Sequence, residues 1–353
     1  MILLVGPILP PITGQSLAFT RVYESFDSKE VELINTNLEK QGTFKKVLNT
    51  IFIIFKIAFK IVFNNYDKVY FTCSRSLSGS LKDIILIQIA SLKKIKIINH
   101  LHGSDFYDFL HSSPTFYKKL LINSYNKVDT SIVLLDYMKN QFEDFPNMNI
   151  EVIPNFYDNN LDINIDKNES DTINLLYLSN IIKTKGIFEL IQSFKNFDKK
   201  YNIKLNIAGG FVSDEIMNKT EVEKEFLNSI NGEININYLG LVYGEDKVNL
   251  LKKSDIFVLP SYYKSEAFPI SIIEAMRCGN AIITTDYKYL PNVINEKNGL
   301  IIKIKSVNSL SDAIEKLLLD KELLHKTQQT NILEAQEKYS LKKYISNIKR
   351  VIK

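Results

Sequence analysis

Residues 254–285 read SDIFVLPSYYKSEAFPISIIEAMRCGNAIITT, and three patterns follow one another inside them. Residues 256–259 are a short run of Ile, Phe, Val and Leu, the mark of a strand covered on both faces. A polar loop follows, and Pro269 opens a run with apolar residues at helical spacing, where proline suits a first turn. Gly279 and Asn280 end that helix, and residues 281–284 form a second β-rich run. Strand, helix, strand is a βαβ unit, which requires a parallel sheet. The alternation extends in both directions. Upstream, strands are expected at 2–5, 31–35, 68–72, 96–100, 131–134 and 151–153, with helices at 15–26, 44–63, 78–91, 114–126 and 136–144 between them. The polar, weakly patterned residues 158–172 read as a linker. Strands then recur at 174–178, 204–207, 235–239, 256–259, 281–284 and 299–302, and the chain is helical from 306 onward. The expected architecture is α/β, with two Rossmann-like parallel-sheet domains in tandem, residues 1–165 and 172–336, and a cleft between them.

The chain has 353 residues, 45% hydrophobic and 24% charged, which excludes a disordered or collagen-like protein and allows two cores. Cys73 and Cys278 lie far apart in strand and helix contexts and read as free thiols of a reducing compartment. The opening MILLVGP has no basic segment or cleavage site and reads as a strand, not a signal peptide. Net charge is +4, yet residues 41–128 hold 12 Lys and one Arg against four acids, a net +9. A basic half implies an anionic partner. With only Arg21, Arg75, Arg277 and Arg350 available, a phosphate clamp must lean on lysine or backbone N–H groups.

The most apolar window, 47–63, contains Lys56 and Lys60 and is short and charged for a transmembrane helix. As a helix it is amphipathic. Lys45, Asn49, Lys56 and Lys60 share a sector of about 60°, beside an apolar face more than about 200° wide. Two readings stand: a crossover helix buried on its sheet, or a helix lying in a membrane surface with its lysines toward anionic lipid.

Glu266 and Glu274 stand eight positions apart, one in the loop after a strand and one inside the following helix. The N–H groups of Ala267, Phe268 and Ile270 flank Pro269 at the helix start, where an anion is stabilised. Glu274, one turn in, is placed to accept hydrogen bonds from vicinal hydroxyls. Three of the four histidines, His100, His102 and His111, fall in one short window. His100 and His102 close a strand and face the same side of it. Asp105 and Asp108 read as helix-cap and surface residues.

Around these residues the chain resembles the retaining glycosyltransferases of family 4, which have the GT-B fold. The E-x7-E pattern with its EAMRCG continuation carries the likeness, followed by Pro291 and Asn298-Gly299-Leu300. Ile153-Pro154-Asn155, Lys185-Gly186, Leu239-Gly240 and Gly14 match further pieces. The resemblance implies that a helix at 337–353 crosses back toward the first domain. It implies a donor site in which Glu274 holds the ribose of a nucleotide sugar. Glu266 and the N–H groups after it would hold the sugar, and Lys185 the diphosphate. Gly240, Leu241 and Val242 would line the base pocket, with Gly14 and Asn180 also near the donor. His102 and Glu266 would be the catalytic pair. Thr13, Gln15, Ser104 and Asp105 would lie on the acceptor side, and Lys45, Lys56 and Lys60 would face the membrane. No metal and no other cofactor is implied. The implied reaction moves a hexose-type sugar with retention from a UDP-sugar, or next a GDP-sugar, to a saccharide acceptor carried on lipid. Its setting would be bacterial O-antigen, capsule or lipopolysaccharide synthesis, on the inner face of the cytoplasmic membrane beside anionic lipid. The chain departs from the family at Ser179-Asn180, where Gly-Arg is common, at Pro291-Asn292, where Pro-Glu is common, and in a first loop with one glycine.

A dinucleotide oxidoreductase is excluded, because the first loop is Gly6-Pro7-Ile8-Leu9-Pro10-Pro11 and the second strand ends in Asn35-Thr36 without an acid. Nucleic acid is not expected as a partner, since no basic face interleaved with aromatics is evident. Another GT-B enzyme, such as a nucleotide-sugar epimerase or phosphorylase, or a non-catalytic nucleotide-sugar-binding subunit, remains open.

Overall fold

Twelve apolar runs become twelve strands, arranged as two six-stranded sheets that are parallel throughout. The computed structural model describes residues 1–37, 43–165, 167, 171–197 and 200–353, with the side chains of 43–46 excepted. The first sheet alternates β1 (Ile2–Gly6), α1 (Gly14–Glu24), β2 (Val31–Asn35), α2 (Thr43–Phe63), β3 (Lys68–Thr72), α3 (Leu77–Leu92) and β4 (Lys96–His100). It continues with α4 (Phe106–Ser112), α5 (Thr115–Tyr125), β5 (Thr130–Val133) and β6 (Asn149–Val152). The second comprises β7 (Ile173–Leu178), α6 (Ile187–Lys195), β8 (Ile203–Ala208), α7 (Lys219–Ile230), β9 (Ile236–Tyr238) and α8 (Gly244–Lys253). It ends with β10 (Ile256–Leu259), α9 (Ile270–Arg277), β11 (Ala281–Thr285) and β12 (Gly299–Ile302), then α10 (Val307–Leu319), α11 (Lys321–Lys338) and α12 (Leu341–Ile352).

The chain divides into two compact units, Met1–Pro154 with Tyr344–Lys353, and Asn155–Lys343. The division falls ahead of the polar residues 158–172, not at 165, because the start of that segment is held by the second unit. Asn155 Nδ2 donates to the Phe268 carbonyl at 2.7 Å, and Tyr157 N–H donates to the Tyr339 carbonyl at 2.9 Å. The Arg277 guanidinium lies over the Tyr157 ring and donates to the Ile163 carbonyl at 2.6 Å. The last residues belong with the first unit: Tyr344, Ile348 and Ile352 are buried, Arg350 pairs with Glu151 at 2.9 Å, and Lys353 pairs with Glu30 at 2.6 Å.

Two expected helices differ. Residues 136–142 wind as a 3₁₀ turn, and the short helix α4 lies outside the expected helix spans, just after Asp105. In α2 only Ile57 and Ile61 are fully buried among the described side chains, while Val47, Leu48, Ile51, Phe52, Phe55, Phe59, Val62 and Phe63 are exposed. A crossover helix sunk into its sheet would bury most of these, so that reading fails for this face.

Strand order fixes where chemistry collects. The second unit runs β12-β11-β10-β7-β8-β9, and its strand order reverses between β7 and β10, with all strands still parallel. Loops leaving adjacent strands at such a reversal diverge and open a crevice at their carboxyl ends. The loops after β7 and β10 carry Lys185 and Glu266 respectively.

Candidate functional site

At the β7/β10 reversal the two loops are joined. Tyr262 N–H donates to the Thr184 carbonyl at 2.7 Å. Gly186 adopts φ +74, and a Cβ there would lie 2.2 Å from the Pro260 carbonyl oxygen, so both the conformation and the space demand glycine. Asp214, in the loop after β8, accepts from the Thr184 N–H and hydroxyl at 2.9 Å and from the Ile216 and Met217 N–H groups. Partial burial pushes the Asp214 carboxyl up, but these N–H groups outweigh it and hold the carboxyl below its usual range. We expect Gly186→Ala to cost about 1–3 kcal/mol of stability in this unit, measured by thermal unfolding.

This bracing sets Lys185 Nζ 2.5 Å from Glu266 Oε2. Ser261 Oγ donates to the same oxygen at 2.6 Å, and Tyr263 presents its ring 5.3 Å from the ammonium. Helix α9 begins one residue later than expected, with Pro269 as its N-cap and no side-chain cap. The N–H groups of Ala267 and Phe268, just before it, donate to nothing among the described residues. They and the first turn at Ile270 follow directly on Glu266, the partner of Lys185, and are donors suited to an anion.

Glu274, on α9, is buried, and its Oε1 accepts from Lys247 Nζ on α8 at 2.6 Å. Burial pushes its carboxyl up, against the pull of Lys247. The turn before α8 carries Gly240, at φ +65, with Leu241 exposed and Val242 half-buried. Asn180 is exposed at the end of β7, where its carbonyl accepts from Tyr177 Oη at 2.8 Å. The structure thus gathers Lys185, Glu266, Ala267, Phe268 and Ile270 in one cluster. Ser261, Asp214 and Lys247 were not singled out from the sequence.

The first unit holds the remaining candidates. His100 Nδ1 bonds Tyr70 Oη at 2.7 Å, and the His102 ring lies over the His100 ring at 4.0 Å between centroids. Neither ring nitrogen of His102 has a hydrogen-bond partner among the described residues. Burial, with the nearby Arg75 charge, pushes His102 down to about 3, so it is a neutral imidazole at any working pH. Asp105 precedes α4 without capping it through its side chain; its carboxylate instead pairs with Arg75 at 2.6 Å. A Cβ on Gly103 would fall 2.1 Å from that guanidinium, so glycine lets Arg75 close over the loop. Ser104 is buried. Thr13 is the N-cap of α1, accepting from Ser16 N–H at 3.1 Å, so its hydroxyl is occupied by the helix; Gly14 opens that helix and Gln15 is half-exposed. Lys56 is exposed, Lys60 pairs with Glu32 at 2.5 Å, and the Lys45 side chain lies outside the described residues.

Two six-stranded parallel α/β units, one following the other in the chain, are the construction of the GT-B proteins. Residues 159–333 match the family described as glycosyl transferases group 1. The chain is 36% identical over 195 residues to the N,N'-diacetylbacillosaminyl-diphospho-undecaprenol alpha-1,3-N-acetylgalactosaminyltransferase of Campylobacter jejuni, covering 54% of this chain and 47% of that enzyme. The match therefore spans about half of that relative's length. An uncharacterized glycosyltransferase of Methanocaldococcus jannaschii is 26% identical over 84% of this chain and 79% of its own. The crystal structure of a glycosyltransferase from Rickettsia africae superposes with a TM-score of 0.75 at 18% identity, covering 99% of this chain and 97% of that one. That likeness establishes the fold.

Proposed function

We propose that the protein is a retaining, metal-independent glycosyltransferase of family 4. It moves a hexose-type sugar from a nucleotide diphosphate sugar, a UDP-sugar before a GDP-sugar, to a lipid-linked saccharide in bacterial surface polysaccharide synthesis. The observation that carries this reading is the cluster at the β7/β10 reversal. Lys185 sits against Glu266 beside the uncapped start of α9, with a second buried acid, Glu274, one turn along. Lys185 and the Ala267, Phe268 and Ile270 N–H groups take the diphosphate, Glu266 the sugar, Glu274 the ribose, and the turn at Gly240, Leu241 and Val242 the base. The acceptor oxygen attacks the anomeric carbon on the face the diphosphate leaves. The C–O bond to phosphate breaks, and the departing phosphate oxygen takes the acceptor's proton. Lysine and helix N–H groups stabilise the charge that develops on that phosphate. His102, neutral, contributes hydrogen bonding and not charge. The Campylobacter relative is named for transfer to a sugar on diphospho-undecaprenol, which supports a lipid-linked acceptor. The exposed apolar stripe of α2 supports work at the inner membrane surface.

The test is turnover of a panel of UDP- and GDP-sugars with a lipid-linked saccharide, followed by NMR of the new linkage. An α-linked donor should give an α product at a rate unchanged by EDTA. A β product, or a rate abolished by EDTA and restored by Mg²⁺ or Mn²⁺, would overturn the reading.

A further inference from the structure

The Lys247–Glu274 contact joins two elements far apart in the chain. Lys247 sits near the start of α8, just after the turn at Gly240, and reaches Glu274 Oε1 at 2.6 Å. Glu274 itself is 3% exposed, while the lysine side chain keeps 27% of its surface in solvent. That asymmetry matters. An exposed lysine needs no partner, whereas a buried carboxylate is costly to keep charged without one. Lys247 engages one oxygen only, and Oε2 has no hydrogen-bond partner among the described residues.

We propose that Lys247 is a positioning residue for donor binding: its ammonium holds the Glu274 carboxylate ionised and fixed, so that the second oxygen accepts a ribose hydroxyl. The proposal rests on the assignment of Glu274 to the ribose. A carboxylate only accepts, whereas a carboxylic acid gives up acceptor capacity and presents a proton instead. The charge state of Glu274 therefore sets how well it receives a diol.

The surroundings push against the ionised form of Glu274. Burial raises the Glu274 carboxyl, and the Asp158 carboxylate, at the start of the second unit, raises it further. Lys247 is what opposes them. Arg277, one turn along α9, is turned to Tyr157, Asp162 and the Ile163 carbonyl. Cys278, at the end of the same helix, is a thiol pushed up to about 12, first by burial, and stays neutral. The strands packed against α9, β10 and β11, bring no charged side chain. On α11, Glu334 is engaged by Asn298 at 2.9 Å and by Lys338 at 2.7 Å.

The sign follows. Lys247 pulls the Glu274 carboxyl down against burial, so with it present nucleotide affinity depends less on pH than without it. Without it the carboxyl rises further, a larger share of Glu274 is protonated at a given pH, and affinity returns as pH rises and the proton leaves.

The experiment is calorimetric titration of UDP and GDP into wild type, Lys247→Met, Lys247→Arg and Glu274→Gln between pH 6 and pH 9, with thermal unfolding as a control for folding. We expect wild type to bind with less pH dependence than Lys247→Met. Lys247→Met should bind about tenfold more weakly near neutral pH and recover most of that loss by pH 9, while Lys247→Arg should resemble wild type. A folded Lys247→Met that loses the same factor at every pH, or loses nothing, would overturn the proposal. The first result would mean that the ammonium touches the nucleotide directly. If Glu274→Gln binds as tightly as wild type, the ribose assignment fails instead, and the two failures are told apart by that variant.

Discussion

Glu274→Ala should lose about 2–4 kcal/mol of donor binding and transition-state stabilisation, roughly a 30- to 1000-fold fall in kcat/KM, without a comparable loss of folded stability. The two halves of that expectation have separate causes. A buried carboxylate that accepts ribose hydroxyls makes charge-assisted bonds, and alanine removes them outright. In the unliganded protein the same carboxylate is a liability. It is buried, and its one ion-pair partner among the described residues is a lysine that still reaches water. Removing the acid relieves its desolvation and lets Lys247 turn to solvent. The cost is the lost ion pair and a small void beside α11, which packs on α9. A structural acid would behave the other way, with stability falling and activity following it. The measurement is kcat/KM for the donor set beside a thermal unfolding curve. A folded variant with unchanged donor affinity and turnover would remove Glu274 from the site.

The strands were legible because β1 and β10 are covered on both faces and so read as nearly continuous apolar runs, and β7 and β11 keep an apolar centre. Glu266 and Glu274 were legible because both sit in one short stretch with a helix start between them. What escaped the sequence came from contacts between distant segments. Lys247 meets Glu274 across α8 and α9, and Asp214 locks the Lys185 loop from the far side of β8; nothing local marks either residue out from many similar lysines and aspartates. Asp105 holds the N-cap position that its place before a helix suggested, but its side chain makes no cap bond: Arg75, from the loop after β3, claims the carboxylate. The unit boundary shifted because the contacts of Asn155 and Tyr157 outweigh the polar character of the residues after them. Helix α2 shows a different limit: hydrophobic periodicity marks an apolar surface but not what covers it.

Vesicles will tell what covers α2. Eight large apolar side chains on this helix are exposed, Phe55 at 67% and Phe63 at 70%. On a helical projection they span an arc of about 160°, directly opposite buried Ile57 and Ile61. Lys56 and Lys60 stand along one margin of that arc, within a stretch of net charge +9. An apolar stripe edged by lysine is the pattern of a helix lying in an anionic membrane surface, and stripes of this size are seldom left in water. Magnitudes decide which force dominates. At about half the value of full burial, each apolar side chain contributes roughly 1 kcal/mol, eight times over. A lysine near an anionic surface adds about 1 kcal/mol, and Lys60 is partly spent on Glu32 at 2.5 Å. Insertion should therefore carry the binding, and charge should select the lipid. We expect sedimentation with phosphatidylglycerol-containing vesicles to exceed that with neutral vesicles several-fold, the difference shrinking as salt is raised. Lys56→Glu should remove part of that preference, whereas Phe52→Ser with Phe55→Ser should weaken binding to both by about 30-fold, two of the eight contributions, while leaving turnover of a soluble acceptor intact. Failure to bind either vesicle would refute the membrane assignment. A wild-type dimer in solution that the phenylalanine variants convert to monomer would give the stripe to a second copy of the chain.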